Sequence, residues 1–303
     1  MTSPPCVSVL TIFLDAERFL GEGIRSVFAQ TFDAWELLLV DDGSRDASGD
    51  VARTWAARDP ARVRYLAHPG GANRGMSASR NLARRDARGE LLAFLDADDV
   101  WRPEKFERHV EIADVWPQAG MIYGATEYWY SWTGSAADRA RDYVAGLGTP
   151  SERLVRPPAL LACWLRDGSA VPCMGSLVVR RALVNALGGF EEAFRDQYED
   201  QVFYAKVALA APIFVTAQGR DRYRQHPDSD CARAGASGRA RIARPRARFL
   251  RWLDAYLTQH DVQDDELRRL VRRERRRVRI GSGPAMLRRL VARCVPSGAG
   301  LGR

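Results

Sequence analysis

Five apolar residues lead straight into three carboxylates in the run Leu91-Leu92-Ala93-Phe94-Leu95-Asp96-Ala97-Asp98-Asp99. The apolar part reads as a buried strand, and negative charge stacked at its edge has to be relieved by water or by a cation. Mg²⁺ or Mn²⁺ meets that need. A second strand, Leu37 to Val40, runs into Asp41-Asp42-Gly43-Ser44. In open α/β sheets ligands bind at the carboxyl ends of the strands, so both clusters face one crevice. A single Asp after a strand is commonly the cap of the next helix, and Asp46 or Asp99 alone reads that way. Asp96 and Asp98 together do not. Two positions apart at a strand end, both reach a divalent ion and its attached phosphates.

The phosphate ligand has no backbone cradle. A dinucleotide fold would place G-x-G-x-x-G after the first strand, and a P-loop enzyme G-x-x-x-x-G-K-[ST]; this chain has Leu14-Asp15-Ala16-Glu17-Arg18. With neither loop present, most of the work on a diphosphate falls to the metal.

The elements that must position these acids follow from periodicity. Residues 7 to 13 are a β-branched apolar run, and Phe19, Leu20, Ile24, Val27 and Phe28 then recur at helical spacing. The alternation continues with Glu36 to Val40 (strand), Asp46 to Ala57 (helix), Val63 to Ala67 (strand) and Met76 to Ala87 (helix). Short strands apolar on both faces, alternating with helices, predict an α/β fold with a mostly parallel, Rossmann-like sheet flanked by helices. A helix from Pro103 to Val115 and an extended segment from Met121 to Trp129 come next. Residues 131 to 157 lack periodicity and read as a long surface excursion or lid. Beyond them the pattern predicts helices at Leu160 to Leu165 and Asp200 to Leu209, strands at Ser176 to Arg180 and Ile213 to Val215, and a turn at Gly188-Gly189.

The net charge of +8 resides in one place: residues 240 to 303 hold 17 Arg against 6 acids, and the remainder is slightly acidic. Phe249, Leu250, Leu253 and Leu257 form one helical stripe, and Leu267, Leu270 and Val271 another within an Arg block. Such a tail suits a solvated face or a peripheral contact with anionic lipid; without interleaved aromatics, nucleic acid is the weakest reading. No segment is apolar enough to span a membrane, and the start lacks a secretion signal, which predicts a cytoplasmic protein, peripheral at most to the inner face of the membrane. Five scattered cysteines suggest neither a disulfide framework nor a zinc site, and read as buried free thiols.

The chain resembles the family 2 glycosyltransferases of GT-A fold. The resemblance is carried by Val7-Ser8-Val9 with Ala16-Glu17-Arg18-Phe19-Leu20, Ser26-Val27-Phe28-Ala29-Gln30-Thr31, Leu39-Val40-Asp41-Asp42-Gly43-Ser44, Asn73-Arg74-Gly75 with Ala78-Ser79-Arg80-Asn81, and Gly89-Glu90 leading into the D-x-D of Asp96 and Asp98. More loosely, Gly188-Gly189-Phe190, Tyr198-Glu199-Asp200 and Tyr223-Arg224-Gln225-His226 look like the family's later motifs. The resemblance implies an inverting, metal-dependent transfer of a sugar from a UDP-, GDP- or dTDP-sugar to a hydroxyl of a glycan or lipid-linked acceptor, in polysaccharide or glycan biosynthesis. It also implies roles. Asp42 would hydrogen-bond the nucleotide base, Ile12 and Asp96 would line the nucleotide site, Asp98 would ligate Mg²⁺ or Mn²⁺, His226 would be a second metal or diphosphate ligand, and Asp200 would be the catalytic base. Residues 1–130 would then be the donor half, 131–239 the acceptor half and 240–303 a helical tail. Arg80 and Asn81 read as scaffold. The chain departs from the family at Leu14-Asp15, usually an aromatic-Asn pair, and at Arg45, usually Thr. A non-catalytic nucleotide-sugar binding protein whose basic tail docks to a membrane or partner stays open at this point.

Overall fold

β-Branched and aliphatic residues set the centre of the sheet: β1 (Val7–Phe13) and β2 (Trp35–Asp41) are buried along their whole lengths and pair in parallel, Val7 opposite Trp35 and Phe13 opposite Asp41. The computed structural model describes residues 5–195, 197–229, 231–233 and 239–279. Strands β3 (Val63–Ala67) and β4 (Leu91–Phe94) extend the parallel sheet on either side, joined through helices α1 (Glu17–Phe28), α2 (Ser48–Arg58) and α3 (Met76–Asp86). This is the crossover arrangement of parallel strands that strand and helix alternation predicts.

The chain then adds β5 (Val100–Trp101), α4 (Lys105–Val115), β6 (Met121–Trp129), a short helix α5 (Ala136–Arg139), β7 (Tyr143–Val144), β8 (Arg153–Val155) and α6 (Ala159–Arg166). After these come β9 (Leu177–Arg180), α7 (Arg181–Ala186), α8 (Glu199–Ala210) and β10 (Ile213–Arg224). The sheet order is β3-β2-β1-β4-β9-β6-β10-β5, with β7 on β6 and β8 on β10. Strand β9 lies antiparallel between β4 and β6. Two reversals restore the direction, so β6 and β10, parallel to one another, end at the same edge as β1, β2 and β4. That geometry brings a late segment of the chain to the acidic crevice.

Strand β10 runs to Arg224, well past the Ile213 to Val215 expected from the sequence, because its middle is a bulge: pairing with β6 breaks between Thr216 and Asp221. Backbones approach too closely there for side chains. A Cβ on Gly124 would lie 2.4 Å from the Gln218 carbonyl oxygen, and one on Gly219 2.7 Å from that of Ala125. The polar residues of the bulge hid the strand. The excursion of residues 131–157 is tied to the sheet through β7 and β8, and Asp142 accepts hydrogen bonds from the Tyr130 and Ser131 amides.

Alternate residues of each strand fill two cores. Leu10, Ile12, Leu38 and Val40 face one cluster, and Val9, Leu37 and Leu39 the other. Two tail helices, Arg239–Gln259 and Asp265–Arg279, bury Phe249, Leu250, Leu253, Leu257, Leu267, Leu270 and Val271 in the first cluster, so both apolar stripes share the main core. The four described cysteines, Cys6, Cys163, Cys173 and Cys231, form no disulfide with one another and are only partly buried; Cys294 lies outside the described residues. No helix among the described residues is long and apolar enough to cross a membrane.

Candidate functional site

The end of β2 is closed by its own hydrogen bonds. Asp41 accepts from the Gly43 and Ser44 amides at 3.1 and 2.7 Å, and from the Tyr65 hydroxyl at 3.0 Å. Gly43 takes φ +91°, and a Cβ there would sit 2.7 Å from the Gly71 carbonyl oxygen, so only glycine fits. Asp42, buried, accepts from the Arg74 amide at 2.8 Å, the Gly75 amide at 2.9 Å and the Ser79 hydroxyl at 2.9 Å. It pins the Asn73-Arg74-Gly75 loop over the crevice. Ile12, on β1 opposite Val40, is buried beneath.

The departure at Leu14-Asp15 has a local reason. Asp15 sits at φ +48°, a region that Asp and Asn tolerate, and its carboxylate accepts the Arg45 amide at 2.7 Å. Asp46 accepts from the Glu17 and Ser48 amides, the first residues of α1 and α2, at 3.0 and 2.9 Å, but it is not the cap its position suggested: the N-cap of α2 is Ala47.

At the end of β4 the carboxylates have fewer partners. One oxygen of Asp96 meets Arg80 at 3.3 Å, one of Asp98 meets His226 Nε2 at 3.0 Å, and one of Asp99 accepts the Arg224 amide at 2.8 Å. Among the described residues the other oxygen of each accepts no hydrogen bond. Desolvation raises the Asp96 carboxyl above the usual range, with Asp98 and Asp200 adding to the effect and Arg80 opposing it. Asp99 is raised much further, by burial first and then by Asp98 and Asp96.

Three strand ends and one helix therefore converge. Arg224, at the end of β10, donates to the Asp98 carbonyl at 2.6 Å and to Glu22 at 2.6 Å, its guanidinium 4.6 Å from the ring centres of Phe19 and Trp129. This arrangement delivers His226 to Asp98. The remaining element is α8. Its preceding residue, Tyr198, has φ +74°, which turns the chain so that Glu199 and Asp200 occupy the first turn, where the helix dipole favours acids. Buried Arg80 on α3 joins the two sides, donating to Glu199 at 2.8 Å and to Asp96 at 3.3 Å. Burial, with Asp200 beside it, pushes the Glu199 carboxyl up to about 7, against the pull of Arg80.

Of the residues singled out from the sequence, Asp96, Asp98, His226 and Asp200 gather around the end of β4, with Asp42 and Ile12 at the neighbouring strand ends. Arg80, Glu199 and Arg224 are additions. Arg224 had a signal in the late Tyr-Arg-Gln-His motif, whereas Arg80 and Glu199 stand 119 positions apart and only the fold pairs them.

The donor set suits a divalent cation. An oxygen of Asp98 and an imidazole nitrogen 3.0 Å apart are able to share one ion, and the neighbouring Asp96 and Asp99 each keep an oxygen that accepts no hydrogen bond among the described residues. Among the described residues no group of three or more His, Cys, Asp or Glu side chains is gathered closely enough to hold a metal by itself. A cation here would take further ligands from its phosphate partner.

Comparison with known proteins follows the same lines. The family model described as "Glycosyl transferase family 2" matches residues 8–184. An uncharacterized glycosyltransferase of Nostoc, alr2836, is 37% identical over 117 residues, 39% of this chain and 35% of the relative. TuaG of Bacillus subtilis, provisionally named a teichuronic acid biosynthesis glycosyltransferase, is 35% identical over 108 residues, 35% of this chain and 41% of the relative. The aligned part thus spans well under half the length of these relatives. Among solved structures, S. aureus TarS 1-349 in complex with UDP-GlcNAc aligns over 89% of this chain and 70% of its own, with a TM-score of 0.64 at 17% identity. The mannosyltransferase PcManGT from Pyrobaculum calidifontis in complex with GDP-Man and Mn²⁺ aligns over 100% of this chain and 77% of its own, with a TM-score of 0.62 at 16% identity. At such identities the likeness is one of GT-A fold.

Proposed function

The chain belongs to glycosyl transferase family 2, and from that premise we propose that its crevice transfers a sugar from a nucleoside-diphosphate donor to an acceptor hydroxyl with inversion at the anomeric carbon. The observation that carries the reading is the Arg80 bridge, which ties Asp96 at the end of β4 to Glu199 and so keeps the adjoining Asp200 near the strand end where Asp98 and His226 pair. In this reading the end of β4 is the leaving-group side and the first turn of α8 supplies the base.

In this reading Ile12 and Asp42 flank the base of the nucleotide, and Asp96 lies beside the ribose and diphosphate. Asp98 and His226 would hold Mg²⁺ or Mn²⁺, which would neutralise charge on the departing diphosphate. Asp200 accepts the proton of the acceptor hydroxyl as that oxygen attacks, and one base opposite the leaving group means inversion. The fold neighbours support a nucleotide-sugar donor through the ligands of their complexes, UDP-GlcNAc in one and GDP-Man with Mn²⁺ in the other. The name of TuaG supports a place in glycan assembly, and in this reading the acceptor is a glycan or lipid-linked hydroxyl on the cytoplasmic side. Residues 1–130 act as the donor half and 131–239 as the acceptor half with the base, followed by the tail.

The test is turnover. Purified protein is incubated with UDP-, GDP- and dTDP-sugars, with and without Mn²⁺, and released nucleoside diphosphate is measured along with the anomeric configuration of any product. Release from one donor class with an inverted product is expected. Tight binding of a donor without release from any of them would overturn the catalytic reading, and a retained configuration would overturn the role of Asp200.

A further inference from the structure

The second tail helix carries a surface that the transfer chemistry does not use. Its 15 residues bury Leu267, Leu270, Val271 and Glu274 on one side, and its other side exposes Arg269, Arg272, Arg273, Arg276 and Arg277. At about 100° per residue these five Arg fall within an arc of roughly 140°, along a helix roughly 22 Å long. They form one face.

The acids of this helix do not neutralise that face. Glu274 points inward to Arg246, 3.1 Å away and also buried, and it reaches out only to Arg277 at 2.7 Å and Arg273 at 3.9 Å. Asp265 and Glu266 belong to the first turn, and Glu266 pairs with Arg166. Arg269, Arg272 and Arg276 have no carboxylate within ion-pair distance among the described residues, and residues 280–303 contain no Asp or Glu. The buried Arg246 and Glu274 pair and the leucines below fix the helix, so the guanidinium groups are presented by a rigid support rather than by a loose tail.

We propose that this face docks the protein on a bilayer through the phosphates of anionic lipid headgroups. A guanidinium offers paired N–H donors to phosphate oxygens, and a straight array suits a flat surface. No aromatic residue lies in the helix to stack on bases, which disfavours single-stranded nucleic acid. A contact made by charge is screened by salt and therefore reversible. The proposal is separate from the transfer reaction. None of the five Arg belongs to the crevice, so either reading can fail without the other.

The test is co-sedimentation of the full chain with phosphatidylcholine vesicles, with and without phosphatidylglycerol, at low and physiological salt. Wild type is expected to bind only the anionic vesicles and to release as salt rises. A variant combining Arg269→Gln, Arg272→Gln, Arg273→Gln and Arg276→Gln is expected to lose affinity by on the order of 10³-fold, with unchanged thermal unfolding and unchanged turnover of soluble substrates. Equal binding to neutral vesicles, no binding to either, or undiminished binding of the variant would each overturn the proposal. So would preferential binding of duplex DNA that the same four substitutions abolish.

Discussion

At the end of β2 all four carboxylate oxygens of Asp41 and Asp42 accept hydrogen bonds, most of them from backbone amides of neighbouring loops. At the end of β4, among the described residues, only one oxygen each of Asp96, Asp98 and Asp99 is so engaged, and the Asp96 and Asp99 carboxyls are raised. The first cluster is finished by the protein, and its acids hold in place the loop that in the proposed reading flanks the nucleotide base. The second is left short of partners, which is the condition a site is in when a ligand has to complete it. Two acid clusters of similar sequence thus differ in what they are able to do, and the difference lies in the loops that face them.

Substitutions ought to separate the two clusters and the base that faces them. The largest effect belongs to Asp200→Asn, expected to lower kcat by about 10²- to 10⁴-fold with little change in donor KM, as steady-state turnover would show. A KM effect alone would move Asp200 to the binding side. Next comes Asp42→Ala, which strands the Arg74 and Gly75 amides and the Ser79 hydroxyl; urea unfolding should register a loss of about 2 to 3 kcal/mol. A neutral result would mean that the β2 end is not architectural.

Glu199 gives a pH test. Its folded-state carboxyl, at about 7, lies above the ordinary value, so the folded chain keeps this proton where the unfolded chain has lost it. Its contribution to stability is full below the ordinary carboxylate range and is lost as pH rises to about 7. The melting temperature of Glu199→Gln relative to wild type should therefore climb across that window, and a flat difference would place the Glu199 carboxyl in its usual range. The smallest effect is that of Asp98→Asn. Without metal it should leave stability unchanged or raise it by no more than about 1 kcal/mol, since it removes repulsion at Asp96 and Asp99. It should also abolish any upward shift of melting temperature that Mn²⁺ and UDP produce together in wild type. A marked loss of stability in Asp98→Asn would make both clusters architectural.

The parallel half of the sheet was legible because each strand is a short apolar run followed by a helical stripe, and the motif residues stand at the strand ends. Strand β10 was cut short in the reading because residues 217 to 220 bulge from the sheet and break its alternation. Arg80 was legible only as scaffold: its bridge was not, because Glu199 stands 119 positions away and only the fold buries the two together. Asp42 was legible as a site residue, while the amides that saturate its oxygens belong to a loop thirty positions on and have no side-chain signature.

The placement of β9 has a consequence for how the molecule comes into being. Its four residues, 177 to 180, pair on one edge with β4 and on the other with β6, so the sheet stays in two pieces until that part of the chain is available. A nascent chain emerging from the ribosome carries the edge of β4 uncovered for more than eighty residues, a template for wrong pairing that chaperones would have to guard. Closure over such separations is slow, and His226 arrives later still. Cutting the chain after residue 130 would therefore yield a sticky half-sheet rather than a small donor-binding domain.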